Sequence, residues 1–169
     1  MSDVETLFRM YHAPLVRYLT RRLGDRDWAE EIAQETFVRA MRQSDLKSER
    51  AWIFAVATNL VRDEARKDIR RRRHLELLTA EEQARETEPP PDELERAEER
   101  DLARRAIEML SEKDREALLM KEEGLDYNEI AEALQLSVSS VGTTLSRARR
   151  RLVEAYEELR KQQDGRRVG

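Results

Sequence analysis

Five polar and basic residues follow one another at helical spacing near the middle of the chain. They are Asn59, Arg62, Arg66, Arg70 and Arg73, separated by three, four, four and three positions. At 100° per residue, all five side chains fall on one stripe of an α-helix. A row of guanidinium groups can follow a phosphate backbone, and an amide can read an unpaired base. The spacing therefore predicts a nucleic-acid-binding face, for which a solvated helix face is the alternative.

An aromatic residue precedes this basic stripe. Trp52 lies seven positions before Asn59 and so falls almost on the same line of the helix. A tryptophan at this place could stack on an unpaired base. It could also pack into the core beside the predicted apolar stripe of the same helix, and the sequence leaves both interpretations open. That apolar stripe consists of Ile53, Val56, Ala57, Leu60 and Val61.

A second candidate site is a capped helix, a short turn and another capped helix within residues 126–151. Asp126, with Glu129 three residues on, has the spacing of a capping box, and Ser137 is the predicted cap of the following helix. Six residues have the spacing that packs two crossing helices together: Ile130, Ala131, Leu134, Leu136, Val141 and Leu145. The pattern predicts a helix-turn-helix, for which a helical hairpin that binds a protein is the alternative.

The second helix of this motif begins with short polar side chains and continues with arginines. A recognition helix presents its N-terminal residues to the major groove, and an arginine cluster suits phosphate contacts. We therefore predict that this helix binds duplex DNA. The residues predicted to face the DNA are Ser139, Ser140, Thr143, Thr144, Ser146, Arg147, Arg149 and Arg150.

The distribution of charge supports a nucleic-acid partner, although the net charge of −4 does not. Residues 62–74 hold seven Arg or Lys against three acidic residues. Residues 79–100 hold nine acidic residues against three Arg, and residues 146–169 hold eight basic against four acidic residues. Solvated helix faces would explain one basic segment, but they explain this alternation less well.

Composition predicts an all-α chain with two small helical domains. Only 5% of the 169 residues are aromatic and 40% are charged, and glycine and proline are scarce. The three prolines at 89–91 cannot continue a helix, and the acidic sequence around them cannot bury a core. We expect an N-terminal domain over residues 1–76, a flexible acidic linker over 77–98, a C-terminal domain over 99–163 and a tail over 164–169.

Two local features of the N-terminal domain give testable expectations. Pro14 lies inside a helical apolar pattern and should bend or break that helix. Asp27 and Glu30 have the spacing of a capping box, so we expect the next helix to begin at Asp27.

Several classes of site are missing from the sequence. The chain has no cysteine, its two histidines are far apart, and no apolar run approaches the length of about 20 residues that spans a bilayer. We find no nucleophile–base pair, no glycine-rich phosphate loop and no clustered carboxylates. We therefore expect a cytoplasmic protein without membrane contact that is not an enzyme and has no catalytic site, cofactor or metal.

The two halves of the chain resemble the sigma-70 family, specifically its extracytoplasmic-function (ECF) group. Residues 27–40 are similar to region 2.2 of that family, and residues 51–59 resemble the Trp-to-Asn signature of region 2.3. The basic continuation resembles region 2.4, and residues 127–149 resemble region 4.2. Order and spacing agree in both domains. The resemblance implies a sigma factor, which binds core RNA polymerase and directs it to promoters.

The resemblance also assigns roles to residues. Region 2.2 docks on the clamp helices of the largest catalytic subunit of the polymerase, a role that falls on Glu31, Gln34, Glu35, Phe37 and Arg39. Regions 2.3 and 2.4 and the preceding loop melt the −10 element, a role that falls on Ser44, Asp45, Trp52, Asn59, Arg62, Arg66, Arg70 and Arg73. Region 4.2 binds the −35 element as duplex. The polymerase flap region and an anti-sigma factor are further expected partners, and the acidic linker is expected to run toward the RNA exit path.

The recognition helix departs from the common family pattern. Gly142 and Thr144 stand where long basic residues are usual, and Gln135 replaces the usual turn glycine. A glycine inside a helix costs about 1 kcal/mol relative to alanine. We therefore expect contacts to the −35 bases that differ from the common pattern and depend on Ser139, Thr143, Ser146 and Arg147.

Two other functions would use parts of the same sequence. An independent helix-turn-helix regulator would bind palindromic duplex DNA as a dimer, but it would not need Trp52, Asn59 or a basic stripe in a separate domain. A helical adaptor that binds only proteins would have no affinity for DNA and no steep salt dependence.

Overall fold

The computed structural model describes residues 3–43, 46–67 and 91–168 of the chain. These residues form helices joined by short loops, and the described part of the chain contains no strand, as the sequence predicted. The helices are α1 Val4–Leu23, α2 Arg26–Ala40, α3 Glu49–Lys67, α4 Pro91–Glu108, α5 Glu112–Glu122, α6 Tyr127–Leu134 and α7 Val138–Val168.

Short polar side chains begin several of these helices. The carboxylate of Asp3 accepts a hydrogen bond from the backbone N–H of Thr6 at 2.8 Å, and the hydroxyl of Ser111 accepts one from Asp114 at 3.3 Å. Each of these bonds satisfies a donor that the first turn of a helix leaves free. Gly124, which follows the C-cap residue Glu123 of α5, has a left-handed φ of 91°.

The expected start of α2 at Asp27 is wrong. The helix begins at Arg26, and the carboxylate of Asp25 accepts the capping hydrogen bond from the N–H of Trp28 at 3.1 Å. The physical reason lies at the end of α1. Gly24 ends that helix with a left-handed φ of 73°, so the chain is already extended at Asp25. An extended residue with a carboxylate is the preferred N-cap, and Asp27 therefore lies in the first turn.

Pro14 does not break α1, which runs from Val4 to Leu23 with the proline inside it. A proline removes one backbone hydrogen bond, but packing on both sides can hold the helix together. Leu7 before the proline, and Leu15 and Tyr18 after it, are buried in the same core. Both halves of α1 are therefore fixed to a common surface.

The helices form two groups, α1–α3 and α4–α7, which are called here the N-terminal and C-terminal domains. Helix α1 packs against α2 and α5, and α3 packs against α2 and α6. One cluster of buried apolar residues includes side chains of both domains, such as Phe54 of α3 and Ile130 of α6. The two predicted domains therefore share a core, because small domains poor in aromatics bury more apolar surface together than apart.

Helices α4 and α7 extend beyond the boundaries expected from the sequence. Helix α4 begins at Pro91, inside the segment expected to be linker, and α7 continues to Val168. Proline suits the first position of a helix because its missing N–H would have no partner there, and the following acidic residues favour the positive end of the helix dipole. Leu102 of α4 packs with Ala155 and Leu159 of α7 in a separate small cluster. This contact supports α7 as far as Leu159.

Candidate nucleic-acid interface

The predicted helix-turn-helix is confirmed as α6, a turn and α7. The carboxylate of Asp126 accepts a hydrogen bond from the N–H of Glu129 at 2.8 Å, and the carboxylate of Glu129 accepts one from the N–H of Asp126 at 3.0 Å. The hydroxyl of Ser137 accepts a hydrogen bond from the N–H of Ser140 at 3.2 Å. Both helices of the motif therefore have the N-terminal caps that the sequence predicted.

Gln135 forms the turn between the two helices in a left-handed conformation, with φ 56° and ψ 47°. A residue with a Cβ pays a steric cost in this region that glycine avoids. The substitution noted in the sequence therefore leaves the turn geometry in place and adds local strain. Among the residues that the structure describes, Gln135 has the only positive φ outside glycine.

The packing of the two helices also follows the prediction. Five of the six predicted residues are buried, and Leu136 packs against the cluster while partly exposed. The buried five are Ile130, Ala131, Leu134, Val141 and Leu145. Small Ala131 lets the two helices approach closely. The packing leaves the start of α7 facing outward.

Most of the residues predicted to face DNA lie on this outward surface. Ser139, Ser140, Thr143, Ser146, Arg149 and Arg150 are exposed. Thr144 is an exception, because it is only 6% exposed and packs on the inner side of α7. A shallow groove runs along the surface and is lined by Lys113, Leu136, Ser139, Ser140, Thr143, Thr144 and Arg147.

Lys113 on α5 was not identified by the sequence reasoning. It is exposed beside the recognition helix and adds a positive charge to the groove. Its only sequence signal is its place two residues after the Ser111 cap, at the start of the helix that precedes the helix-turn-helix. A residue on another helix cannot be assigned to a groove from periodicity alone.

Arg147 is held by a buried carboxylate. Its Nη2 and Nε groups donate hydrogen bonds to the two oxygens of Asp114 at 2.8 and 3.3 Å. Arg151 donates a third, longer bond of 3.4 Å to the same carboxylate. Burial alone would raise the pKa of Asp114, but the hydrogen bonds from Arg147 and the charge of that guanidinium lower it. Asp114 is therefore a fixed anion that orients Arg147 while the guanidinium still lines the groove.

On α3, the predicted stripe has a mixed environment. Asn59 is exposed, whereas Trp52 is half-buried against the core. Nη2 of Arg62 donates a hydrogen bond of 2.5 Å to the carboxylate of Glu116 on α5. Arg66 lies within α3, but its side chain, like all of Ser44, Asp45, Arg70 and Arg73, lies outside the described residues.

The predicted polymerase-facing side of α2 is partly polar and partly apolar. Glu31, Gln34, Glu35 and Arg39 are exposed, and Nε of Arg39 donates to Glu35 at 3.2 Å. Phe37 is buried, with its ring 5.2 Å from that of Phe8.

Exposed apolar side chains flank this polar set and were not identified from the sequence. Val38, next to Arg39, is 44% exposed. Met41, at the end of α2, is 67% exposed. Phe8 of α1, which stacks on His12, is 41% exposed over Phe37. Large apolar side chains exposed together beside charged ones are typical of a protein-binding surface.

Some other kinds of site are not found in the described part of the chain. No group of histidine and acidic residues there could hold a metal ion. Within the same residues, no helix is both long and apolar enough to cross a membrane.

Comparisons with known proteins cover both domains. Residues 7–73 match the family described as Sigma-70 region 2, and residues 100–152 match Sigma-70, region 4. The chain is 30% identical over 168 residues to the RNA polymerase sigma factor YlaC of Bacillus subtilis, covering 96% of each protein. It is 32% identical over 149 residues to the ferric citrate uptake sigma factor FecI of Escherichia coli, covering 85% of each.

A solved structure shares the fold. It is the sigma factor RpoE in complex with the anti-sigma factor NepR from Bartonella quintana, with a TM-score of 0.61 and 23% identity over 90% of this chain and 96% of that one. The two-domain helical architecture described above is therefore that of a known fold.

Proposed function

Since the chain belongs to the sigma-70 family, in its extracytoplasmic-function group, we propose that three separate surfaces carry out its work in transcription initiation. As a sigma factor, it binds core RNA polymerase and directs promoter-specific initiation. The three surfaces are the start of α7 with its groove, the stripe on α3, and the exposed face of α2. Each of these surfaces has a chemistry that suits one partner.

The start of α7 binds the −35 element as duplex DNA. The observation that carries this assignment is the paired geometry of Asp114 and Arg147 at the edge of the groove. An arginine whose orientation is fixed before binding loses less side-chain entropy when it contacts a base edge or a phosphate. Ser139, Thr143 and Ser146 supply short hydroxyl groups on the same surface, and Lys113 adds a phosphate contact.

The basic stripe of α3 binds the −10 element as a melted single strand. Asn59 supplies an exposed amide, and Arg62 a guanidinium, on one face of α3. Amides can read unpaired bases, and guanidinium groups can bind the backbone of a single strand. By resemblance, Ser44, Asp45, Trp52, Arg66, Arg70 and Arg73 complete this surface.

The exposed face of α2 binds the clamp helices of the largest polymerase subunit. Glu31, Gln34 and Glu35 supply polar groups, and Val38 and Met41 supply apolar surface that a partner helix can cover. Phe37 supports this face from below rather than contacting the partner directly, because it is buried under Phe8. The C-terminal domain contacts the polymerase flap region.

An anti-sigma factor regulates the chain. The support is the fold that this chain shares with the sigma factor RpoE, whose structure was solved in complex with the anti-sigma factor NepR. The partner of this chain is expected to cover at least one of the three surfaces.

The α2 assignment predicts the effect of a charge on polymerase binding. Met41→Lys places a charge in apolar surface that the partner covers, and it should weaken binding to core polymerase about tenfold, since desolvating an unpaired charge opposes association. Met109→Lys is the matched control, because Met109 is similarly exposed at 55% but lies just after α4, in the other domain. The affinities for core polymerase are measured by fluorescence anisotropy with the labelled chain. If Met41→Lys and Met109→Lys both bind like wild type, the assignment of this face to the polymerase is wrong.

One experiment tests the proposed function as a whole. The chain is added to core polymerase on a library of genomic promoters, and transcript starts are mapped. New starts that share −35 and −10 elements are expected. An independent duplex-binding regulator would instead bind palindromic sites without polymerase, and a protein-binding adaptor would give no new starts. Either of these results would overturn the proposal.

A further inference from the structure

The two flanks of the recognition helix, the start of α7, differ in chemistry. The flank toward α5 carries the Arg147–Asp114 pair and the groove beside Lys113. The flank toward α6 is apolar. Val138, at the first position of α7, is 47% exposed, and Tyr127, at the first position of α6, is 39% exposed. Neither of these two side chains lines the groove.

Tyr127 lies directly against the recognition helix. It precedes Ala131 by one turn, so it projects from the face of α6 that crosses α7. A Cβ added to Gly142 would lie 3.6 Å from Cε2 of the Tyr127 ring. Gly142 follows Val138 by four positions, so the two residues share one face of α7. Val138, the backbone at Gly142 and the edge of the Tyr127 ring are therefore neighbours.

The folded chain itself does not require glycine at position 142. The φ of Gly142 is not left-handed, and a Cβ there would make only an ordinary van der Waals contact with the ring. Glycine at this place also costs the helix about 1 kcal/mol relative to alanine. A glycine is useful where another molecule must approach the backbone closely. The bare backbone at Gly142 therefore points to a ligand that covers this flank.

The position and charge of this flank favour duplex DNA as that ligand. It lies at the N-terminal end of the recognition helix, the part that enters the major groove. Two cations border it. Nζ of Lys121, near the end of α5, lies 5.7 Å from the centroid of the Tyr127 ring. Arg149 is exposed seven positions after Gly142, on the same line of α7. Cations at the edges of a groove suit phosphates, and an apolar surface between them suits a base edge.

We infer that Val138, Gly142 and the ring edge of Tyr127 form an apolar surface that contacts the 5-methyl group of a thymine in the −35 duplex, with Lys121 on a neighbouring phosphate. The inference rests on the proposed function, since it takes the start of α7 as the −35 surface. Among the base edges in the major groove, thymine alone presents a methyl group. This contact supplies base selectivity on a flank that has no long basic side chain at position 142.

Replacement of thymine by deoxyuridine removes this methyl group and nothing else. The probe is a labelled −35 duplex from a promoter at which the chain starts transcription with core polymerase. Each thymine of the duplex is replaced in turn, and binding of the full chain is measured by anisotropy at fixed salt. At one position, deoxyuridine is expected to weaken binding about fourfold, the loss that corresponds to one buried methyl-sized group.

Val138→Ser removes the apolar side chain from this surface. The deoxyuridine effect at that one position should then fall below about twofold, because the methyl group has lost its contact. Val153→Ser is the matched control, since Val153 is also an exposed valine of α7 but lies about four turns further along the helix. The control should keep the full effect. Thermal unfolding confirms that both variants are folded.

Gly142→Gln covers the surface without adding a charge. Glutamine is a better helix former than glycine, so the variant should be at least as stable as wild type, yet the deoxyuridine effect should disappear. Gly165→Gln is the matched control, because Gly165 also lies in α7 and has nothing within 4 Å of an added Cβ. It should keep the effect. A purely structural contact between Tyr127 and Gly142 would not link this substitution to a single thymine.

Lys121→Gln tests the phosphate contact separately from the base contact. It should weaken binding to every duplex alike and reduce the dependence of affinity on salt by about one phosphate contact, with the deoxyuridine effect unchanged. Lys161→Gln, at an exposed position near the end of α7, is the control. An unchanged salt dependence in Lys121→Gln would remove Lys121 from the surface.

The outcomes separate this inference from the proposed function. If no deoxyuridine weakens binding by wild type, or if Val138→Ser and Gly142→Gln keep the full effect, the thymine contact is wrong. Binding to the −35 duplex and initiation by the same wild-type chain would then still support the proposed function. If the wild-type chain neither binds the −35 duplex nor supports initiation with core polymerase, the proposed function is wrong, and the inference fails with it.

Discussion

Arg62 and Arg147 both lie on surfaces assigned to DNA, and each is bound by a fully buried carboxylate. The partner of Arg147 is Asp114 of the same domain, so the pair persists when the domains move apart. The partner of Arg62 is Glu116 of the other domain, so that pair lasts only while the two domains are in contact. The same chemical contact therefore fixes one arginine within a single domain and links the other to the neighbouring domain.

The pKa values of the Asp114 and Glu116 carboxylates are shifted in opposite directions. The pKa of Asp114 is lowered, because the bonds from Arg147 outweigh its burial, whereas the pKa of Glu116 is raised because burial dominates. The charge of Asp114 is stabilised locally, but that of Glu116 is stabilised only partly by arginines from another domain. The Asp114 pair is therefore contained within one domain, whereas the Glu116 pair depends on the contact between the two domains.

Removal of Arg147 is expected to have the largest effect. Arg147→Ala should weaken binding to the −35 duplex by about 1–3 kcal/mol, the usual loss for an arginine that contacts a base edge. Binding is measured by anisotropy with a labelled −35 duplex at fixed salt. Arg151→Ala is the control, because Arg151 contacts the same carboxylate only at 3.4 Å. Unchanged affinity of Arg147→Ala would remove Arg147 from the site.

The effect of the same substitution at Arg62 should depend on whether the chain is free or bound to core polymerase. Arg62→Ala should slow open-complex formation about tenfold with core polymerase, because one single-strand contact is lost. The same change should alter −10 binding by the free chain less than twofold, because it removes the contact with the strand but also removes the partner of Glu116 that holds the two domains together. Permanganate reactivity of the melted promoter measures the first rate. A large loss in the free chain would show that Arg62 is available there.

Asp114→Asn tests the orienting role in the C-terminal domain. The amide keeps the shape but not the charge, so Arg147 should be held less firmly and discrimination between the −35 sequence and a mismatched duplex should fall about fivefold, or about 1 kcal/mol. The dependence of affinity on salt should stay the same, because the number of phosphate contacts does not change. Asp101→Asn, which breaks the exposed pair with Arg104, is the control. A lower melting temperature with intact discrimination would assign Asp114 a structural role only.

The smallest expected effect concerns Gln135, in the turn between α6 and α7. Gln135→Gly removes the steric cost of a left-handed φ and should stabilise the C-terminal domain by about 0.5–1 kcal/mol without changing −35 affinity. Glu132→Gly, on the exposed face of α6, is the control and should destabilise by a similar amount. Denaturant unfolding measures both. A destabilised Gln135→Gly protein would contradict the assignment of strain to this turn.

Features determined by neighbouring residues were predictable from the sequence. The capping box at Asp126 and Glu129, the Ser137 cap and the apolar spacing of α6 and α7 depend on residues within one or two helical turns. Thr144 shows the limit of this reasoning, because it lies in the predicted reading surface but faces inward. The Asp27 start of α2 also proved wrong, since the end of α1 at Gly24 determines where the next helix begins.

Contacts between distant residues could not be predicted in the same way. Glu116 and Arg62 are 54 positions apart, and nothing in the spacing of either helix pairs them. Lys113 joins the groove of α7 only because α5 packs beside it, and Asp114 reaches Arg147 for the same reason. Periodicity identifies which face of a helix is polar, but the partner across that face depends on the packing of the whole molecule.

The most direct measurement compares both DNA elements in one variant. Free wild-type chain, the Glu116→Gln/Glu129→Gln variant and its Glu154→Gln/Glu157→Gln control are titrated with a −10 single strand and, separately, with a −35 duplex. The variant is expected to bind the −10 strand about tenfold more tightly than the control and the −35 duplex within about twofold of it, because Glu116 and Glu129 contact Arg62 and Arg50 of α3. Equal gains at both elements, or no gain at either, would contradict the distinction between Arg62 and Arg147.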